Sequence, residues 1–287
     1  MSAEPIDLPF TRVAVVGLGL MGGSLAMALR GRCPRILGAD ADESCVQLAL
    51  QNGVIDEGNV DPARILPAAD LVILAAPVRA ILRLLGDLDH LHPGSAVVID
   101  LGSTKREITA AMAELPARFD PVGGHPMCGK EKSGLTYAEA GLFHGAPFAL
   151  VSLPRTSQRA MHLAEELAHT VCAQPLWMNA DAHDRWTAAT SHLPYLVANA
   201  LVGSTPLDAQ LLVSSGFRST ARLAGSRPEM MGDILATNRE YILAGLERFR
   251  SQLDQLGQLI QTGDDARLLN HLEQNESRYE ALTGGGR

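Results

Sequence analysis

The stretch VVGLGLMGGSLA, residues 15–26, joins an apolar β-branched run to a cluster of glycines and then to small residues that can begin a helix. Gly17, Gly19 and Gly22 fit the pattern GxGxxG between a strand and a helix. The first glycine permits a tight turn, the second leaves space for a pyrophosphate, and the third lets the helix pack closely on the strand. The stretch therefore predicts a dinucleotide at the helix N-terminus; the alternative is a glycine-rich turn without a ligand.

A carboxylate follows this loop at the spacing that the dinucleotide pattern requires. The run RILGAD (35–40) ends at Asp40, about 20 residues further on. Its carboxylate can accept hydrogen bonds from the adenosine ribose and would repel a 2′-phosphate, so NAD rather than NADP is the predicted cofactor, with Asp42 as an alternative acceptor. The predicted cofactor contacts are Gly17, Gly19, Leu20, Met21, Gly22, Asp40, Ala76, Pro77 and Ser103.

Strand and helix patterns alternate over the first 180 residues. Such alternation is typical of a mostly parallel, doubly wound sheet. We therefore expect an α/β fold with an N-terminal Rossmann-type domain over residues 1–180. Strands are predicted at 12–17, 35–40, 71–77, 96–100, 120–124, 148–152 and 175–179, and helices at 43–52, 79–89, 104–114 and 157–171.

After residue 180 only helical patterns follow, which predicts an all-α C-terminal dimerisation domain over 181–287. The predicted helices span 182–203 (capped by Asp181 and kinked at Pro194), 206–213, a segment from Phe217, and 228–261. In the last helix, apolar residues recur at spacings of four and three: Ile242, Leu246, Phe249, Leu253, Leu256 and Ile260. This heptad pattern predicts a homodimer through the C-terminal helices; the alternative is packing within one subunit.

Composition limits the classes of function. The chain has 287 residues and a net charge of −8, which argues against a nucleic-acid binder that works through general basicity. No apolar run reaches the roughly 18 residues of a membrane span, and the first residues lack the apolar segment of a secretory signal. The four cysteines are scattered without a CxxC pair, and no metal site is predicted. We therefore expect a cytoplasmic protein.

The segment VVIDLGSTKREI (97–108) leaves a predicted strand at Asp100. Ser103 then lies at the carboxyl edge of the sheet, where doubly wound folds bind ligands. Thr104 and Glu107 have the spacing of a T-x-x-E capping box, which explains these two residues and leaves Ser103 and Lys105 free to face the cleft.

The segment PVGGHPMCGKEKSG (121–134) places His125 at the same edge of the sheet, directly after two glycines. Pro126 biases the backbone of His125 to an extended conformation. A histidine held beside a nicotinamide suits a general base or a hydrogen-bond acceptor for a substrate hydroxyl.

Five segments together resemble the prephenate/arogenate dehydrogenase family of tyrosine biosynthesis. The resemblance covers roughly residues 12–280, and the histidine and GFRSTAR segments are its specific parts. The segments are VVGLGLMGGSLA (15–26), DLGSTK (100–105), GGHPMCGKEKSG (123–134), SHLPY (191–195) and SSGFRSTARLAGSRPEMMGDI (214–234).

The resemblance implies NAD-dependent oxidative decarboxylation of prephenate to 4-hydroxyphenylpyruvate, CO2 and NADH. It implies that His125 accepts the hydrogen bond of the substrate's ring hydroxyl, that Ser103 orients this hydroxyl and His125, and that Arg222 holds a substrate carboxylate. Glu131 matches an acidic residue that gates the mouth of the pocket. Some members carry a second histidine at the position of Tyr195, and this tyrosine could still donate a hydrogen bond to the substrate.

Spacing adds two expectations about charged and titratable side chains. Arg218 and Arg222 are four apart, so a helix would place both on one face, suited to gripping carboxylates; the alternative is two surface arginines. His183 and His192 are nine apart, on opposite faces of a regular helix, and cannot both point at one ligand unless the helix breaks. We expect His183 to be structural, tied to Asp184 or a cap, whereas His192 is either structural or a substrate contact.

Other functions remain open. Arogenate carries an amine that an acid would recognise. Arg227 stands where an acid might have served, although Glu229 is two residues away, and this favours prephenate. A second alternative is a β-hydroxyacid dehydrogenase, which relies on a lysine of its helical domain. No lysine follows Lys132 in this sequence, and this argues against that function. A non-catalytic NAD-binding sensor would not require His125, Ser103 and Arg222 to converge.

Overall fold

The computed structural model describes residues 11–130 and 132–284, and an eight-stranded sheet forms its centre. Most strands are rich in β-branched and aliphatic residues and are buried along nearly their whole length. The strands are β1 (Arg12–Val16), β2 (Arg35–Ala39), β3 (Glu57–Asn59), β4 (Leu71–Leu74), β5 (Ala96–Asp100), β6 (Phe119–Pro126), β7 (Pro147–Ser152) and β8 (Gln174–Trp177).

The strand order confirms the predicted doubly wound sheet. It runs β3-β2-β1-β4-β5-β6-β7-β8, with parallel pairing throughout except between β6 and β7. All seven predicted strands are present, whereas β3, with the sequence EGN, has no apolar residue to predict it. Because β1 to β6 are parallel, their carboxyl ends share one edge, where polar loops meet.

Five helices cover the two faces of the sheet, and they are α1 (Leu20–Leu29), α2 (Glu43–Gln51), α3 (Val78–Leu91), α4 (Arg106–Ala113) and α5 (Gln158–Thr170). Side chains alternate along β1: Val13 and Val15 pack with α1, α2 and α5, and Ala14 and Val16 pack with α3 and α4. The four helices predicted in this half are confirmed to within two residues at either end.

Beyond β8 the described chain is helical. Its helices are α6 (Ala180–Thr187), α7 (Leu193–Ser204), α8 (Ser215–Ala221), α9 (Pro228–Thr237), α10 (Arg239–Thr262) and α11 (Asp265–Thr283), with short 3₁₀ turns at Leu207–Leu212 and Arg222–Gly225. Among the described residues, none of these helices is long and apolar enough to cross a membrane.

The predicted single helix over 182–203 is wrong in its cap and in the place of its break. The Oδ1 atom of Asn179, not Asp181, caps α6 by accepting the N–H of Ala182 at 2.7 Å. A π turn over Ala188–His192 separates α6 from α7. Pro194 then lies in the first turn of α7, where its missing N–H disrupts no hydrogen bond.

The predicted helix over 228–261 is also two helices. Asn238, with φ −127° and ψ 29°, leaves the helical conformation between α9 and α10. Its buried side chain donates to the carbonyl oxygen of Asp184 at 2.7 Å. Helix α11 was not predicted from the sequence pattern.

The described chain falls into two compact units, one up to Arg239 and one from Glu240. In the first unit, Met231 and Ile234 of α9 belong to the same apolar cluster as Val16 of β1. The predicted boundary at residue 180 therefore separates the sheet from helices that pack with it. In the second unit, Leu253 and Ile260 of the predicted heptad face are 52% and 67% exposed.

Candidate active site

The carboxyl edge of the sheet gathers the segments that carry the predicted site residues. The glycine loop follows β1, and Ala76 and Pro77 follow β4. Ser103 follows β5, and His125 lies near the end of β6. A cavity of about 910 Å³ lies instead at the amino edge, beside Thr11, Asp70 and Ser95; ligands of doubly wound sheets bind at the carboxyl edge, so we do not assign the site to that cavity.

The glycine loop has the geometry of a phosphate cradle. Gly17 has a φ of +96°, which a side chain would strain. A Cβ at Gly22 would lie 1.9 Å from the carbonyl oxygen of Gly17, whereas a Cβ at Gly19 would meet no atom within 4 Å. Gly19 is the N-cap of α1 and supplies no side chain to its N–H groups. Open space beside an uncapped helix N-terminus fits a pyrophosphate.

Asp40 connects the end of β2 to this loop. Its Oδ2 accepts the N–H of Leu18 at 2.7 Å and its Oδ1 accepts the N–H of Asp42 at 3.0 Å. Each carboxylate oxygen has a second lone pair, so the group can still accept a ribose hydroxyl. Asp42, the alternative acceptor, caps α2 by accepting the N–H and hydroxyl of Ser44, and the hydrogen bonds from Ser44 lower the pKa of Asp42.

The predicted capping box after β5 is wrong. Thr104 is buried, and its hydroxyl lies 2.9 Å from that of Thr237. The carboxylate of Asp184 caps α4 instead: it accepts the N–H of Lys105 at 2.7 Å and the N–H of Arg106 at 2.9 Å. A carboxylate from a distant helix thus takes the place of the local cap and satisfies two N–H groups at the start of α4.

Lys105 does not face the cleft, contrary to the expectation from sequence. Its ammonium is fully buried, pairs with Asp100 and donates to the carbonyl oxygen of Gly124 at 2.6 Å. Burial lowers the pKa of Lys105, and the negative charge of Asp100 opposes that shift. Asp100 also accepts the N–H of Gly124 at 3.0 Å, so the pair fixes β6 immediately before His125. Ser103 remains half-buried at the edge.

His125 is half-buried and is linked to two buried side chains. Its Nδ1 lies 2.9 Å from Nε2 of His183, and Nδ1 of His183 lies 2.8 Å from Oδ1 of Asp184. The expected tie between His183 and Asp184 is thus confirmed. Burial, reinforced by the positive charge of the nearby Lys105, holds the pKa of His125 well below its usual 6.5. A neutral imidazole can accept a proton from a hydroxyl.

The π turn brings His192 to the same buried region as His183. Nδ1 of His192 lies 3.1 Å from Nδ2 of Asn238, which also donates to the backbone of Asp184. His192 is 1% exposed, and burial lowers its pKa to about 4. This placement favours the structural alternative for His192, because the ring presents almost no surface to a ligand.

The two predicted arginines are exposed residues of the helical segment. Arg218 is in α8, and Arg222 begins the 3₁₀ turn that follows. Both elements pack against α7, which carries the half-buried Tyr195. Both guanidinium groups belong to exposed residues, which suits the recognition of an anionic ligand that arrives from solvent. Glu131 lies outside the described residues.

Sequence reasoning missed the contacts of Asp100 and Asn238, and it expected the tie of Asp184 to His183 but not its contact with α4. Their roles depend on partners far along the chain, so spacing gives no direct signal. The acidic residue directly after His183 was the one available hint. Among the described residues, no group of three or more His, Cys, Asp or Glu side chains could hold a metal ion.

The arrangement combines an open helix N-terminus, a carboxylate that can accept further hydrogen bonds and an imidazole of lowered pKa along one sheet edge. Such a set of groups can bind a dinucleotide and can remove the proton of a substrate hydroxyl while a hydride leaves the carbon that bears this hydroxyl.

Comparisons with known proteins agree with this chemistry. The prephenate dehydrogenase nucleotide-binding domain matches residues 25–175, and the prephenate dehydrogenase dimerization domain matches residues 179–274. Prephenate dehydrogenase of Bacillus subtilis is 33% identical over 280 residues, which cover 94% of this chain and 76% of that protein.

Two solved structures share the fold along nearly the whole chain. Prephenate dehydrogenase from Aquifex aeolicus, in complex with hydroxyphenyl propionate and NAD+, has a TM-score of 0.88 and 29% identity, covering 96% of this chain and 100% of that one. Synechocystis arogenate dehydrogenase has a TM-score of 0.80 and 31% identity, covering 94% and 99%. The two domain matches together span most of the sequence, and the chain therefore belongs to the prephenate dehydrogenase family.

Proposed function

We propose that this protein catalyses the NAD-dependent oxidative decarboxylation of prephenate to 4-hydroxyphenylpyruvate, CO2 and NADH. The observation that carries the proposal is His125, an imidazole kept neutral at the same sheet edge as the glycine loop. A non-catalytic sensor needs no such acceptor, and membership of a dehydrogenase family argues against that alternative.

The residues around the loop fit NAD, which when bound accepts the hydride from the substrate. Gly17, Gly19 and Gly22 with the N-terminus of α1 would hold the pyrophosphate, and Asp40 the adenosine ribose. The further contacts that we propose are Leu20, Met21, Ala76, Pro77 and Ser103.

His125 handles the proton of the reaction. Its Nε2 takes the hydroxyl proton as the hydride leaves the ring carbon, and a ring carbonyl results. Cleavage of the bond to the ring carboxylate releases CO2 and returns that electron pair to the ring. The oxygen regains the proton from His125, so the product is a phenol and no net proton is released. Ser103 orients the hydroxyl and the imidazole.

The helical segment would bind the carboxylates of the substrate. Arg222, assisted by Arg218, would hold a carboxylate through paired hydrogen bonds, and Tyr195 would donate to the substrate from α7. Glu131, which lies outside the described residues, is proposed to gate the entry of the substrate, as the family resemblance implies. We assign His192 a supporting role rather than a substrate contact, since its ring is buried.

Arogenate is the second candidate substrate, and the likeness to Synechocystis arogenate dehydrogenase favours it. Against it, Arg227 places a cation rather than an acid near the loop that follows His125, where it donates to the hydroxyl of Ser133 at 3.1 Å. A cation there would repel the amine of arogenate.

A steady-state assay that crosses prephenate and arogenate with NAD and NADP tests the proposal. The prephenate–NAD pair should have the highest kcat/KM. His125→Asn should lose turnover yet keep its affinity for NAD in a calorimetric titration. Turnover that survives in this variant would remove His125 from the reaction, and a preference for NADP would show that Asp40 does not face the ribose.

We further propose a homodimer through the helical half, with the domain boundary near residue 180, where the two family matches meet. Leu207, Leu211 and Leu212 are 92%, 88% and 87% exposed within the region that matches a dimerization domain. The four cysteines are free, which supports a cytoplasmic, reducing location.

A further inference from the structure

We propose that His183 and Asp184 are positioning residues that fix the tautomer of His125 and leave its Nε2 as the proton acceptor. This inference rests on the function proposed above. The three side chains form one line of hydrogen bonds, with distances of 2.9 Å and 2.8 Å between successive partners. His183 and Asp184 are 1% and 0% exposed, so the line runs from the protein interior to the half-buried ring of His125 at the sheet edge.

The positions of the hydrogens along this line follow from the carboxylate of Asp184 at its buried end. A carboxylate only accepts hydrogen bonds, so Nδ1 of His183 carries the hydrogen that faces Asp184. In the neutral ring the other nitrogen, Nε2, has a lone pair, and Nδ1 of His125 must therefore donate to it. Nε2 of His125 is then left with a lone pair for the substrate hydroxyl.

Asp184 can serve as this fixed point because backbone donors hold it. The N–H groups of Lys105 and Arg106 bind its two oxygens at 2.7 and 2.9 Å. They belong to the N-terminus of α4, where the helix dipole favours a negative charge. Since backbone N–H groups cannot rotate away, the carboxylate keeps one orientation toward His183.

A capping role alone does not explain the geometry. It accounts for the contacts of Asp184 with α4. It does not account for the contact between Nε2 of His183 and Nδ1 of His125, whose two rings are inclined at 61°. When Nε2 of His125 takes the hydroxyl proton, its ring becomes a cation. The acceptor on His183 and the carboxylate behind it stabilise that cation, as the aspartate does in a Ser-His-Asp triad.

The tautomer is measured directly by ¹⁵N NMR of histidine-labelled protein without substrate. The signals of His125 are assigned by their loss in His125→Asn. We expect hydrogen on Nδ1 and none on Nε2. In His183→Asn, whose shorter side chain does not reach His125, we expect the averaged signals of two tautomers. Hydrogen on Nε2 in the parent protein, or unchanged signals in His183→Asn, would overturn the proposal.

Kinetics supply the matched comparison. In His183→Asn we expect kcat to fall about 10²- to 10⁴-fold, with KM changed by less than about threefold. His183→Gln places an amide oxygen near the position of Nε2 and should restore kcat to within about tenfold of the parent. His92→Gln is the control and should keep the parent kcat. His92 is nearly as buried as His183, and among the described residues its ring hydrogen-bonds to backbone, at Ala69 and Gly94.

If kcat fell equally in His183→Gln and His183→Asn, or if only KM changed, the proposed positioning role of His183 would be overturned. Should the parent turn over neither prephenate nor arogenate, the proposed function fails, while the NMR signals of His125 still decide whether the line of hydrogen bonds sets its tautomer.

Discussion

Lys105 and Asp100 are both fully buried, and each is tolerable as a charge only because the other is present. Lys105→Met leaves the carboxylate buried without its cation, so we expect the free energy of unfolding to fall by about 3–5 kcal/mol in urea denaturation. Arg35→Met is the control, since it removes an ion pair with Glu57 that is about half exposed, and it should cost less than about 1 kcal/mol. Similar losses of unfolding free energy in the two variants would contradict the expected contribution of the buried pair to stability.

Two histidines with lowered pKa values, the buried His192 and the half-buried His125, make stability depend on pH in a defined direction. Burial lowers the pKa of His192 to about 4 and that of His125 well below 6.5, whereas unfolded histidines titrate near 6.5. Above about pH 6.5 neither state binds these protons; below it the unfolded chain binds more, so the free energy of unfolding falls as the pH falls. His192→Gln should remove on the order of 2 kcal/mol of the change between about pH 7 and 4.5, measured by urea denaturation at both values. An unchanged pH dependence in this variant would refute the shift.

At the scale of elements, the fit of α1 against β1 depends on one absent side chain. A Cβ at Gly22 would lie 1.9 Å from backbone oxygen of Gly17, so Gly22→Ala must displace the helix. We expect a loss of about 1–3 kcal/mol in the free energy of unfolding, and NAD binding weakened by at least about tenfold in calorimetric titration, because the helix N-terminus moves from the pyrophosphate.

Gly86 provides the matched control for this substitution. It lies in α3, where a Cβ would meet no atom within 4 Å. Gly86→Ala should raise stability by about 0.5–1 kcal/mol through helix propensity and leave NAD binding unchanged. Weakened binding in both variants would show that the effect does not arise at the loop.

Elements that follow from local pattern could be predicted, and elements set by distant contacts could not. The apolar runs of β1 and β4 predict their own burial, since a parallel strand covered on both faces has few alternatives. The cap of α4 was mispredicted because Thr104 and Glu107 offer a local solution. Asp184 instead binds the N–H groups of Lys105 and Arg106, from 79 and 78 residues away. The π turn has no pattern of its own, so the break before Pro194 could not be located.

At the scale of the whole molecule, the same division holds for the candidate site. Parallel strands bring their carboxyl ends to one edge, so the glycine loop, Ser103 and His125 could be placed together from strand order alone. The support behind His125 could not, because His183 reaches it only after the chain has passed through two further strands and a helix. Site residues at strand ends can thus be predicted from the sequence more readily than the residues that orient them.

The exposed leucines of the helical segment bear on whether the chain forms a dimer. Leu207, Leu211 and Leu212 would each leave nearly a full side chain in water in an isolated chain, and a second copy is the partner that the match to a dimerization domain favours. Leu211→Glu should therefore shift the mass measured by light scattering from dimer toward monomer, since a carboxylate would be buried without a partner. Leu176→Glu, at a residue 47% exposed and outside both domain matches, should stay dimeric. A parent chain that is monomeric at micromolar concentration, or dissociation of both variants alike, would show that these leucines do not form the interface.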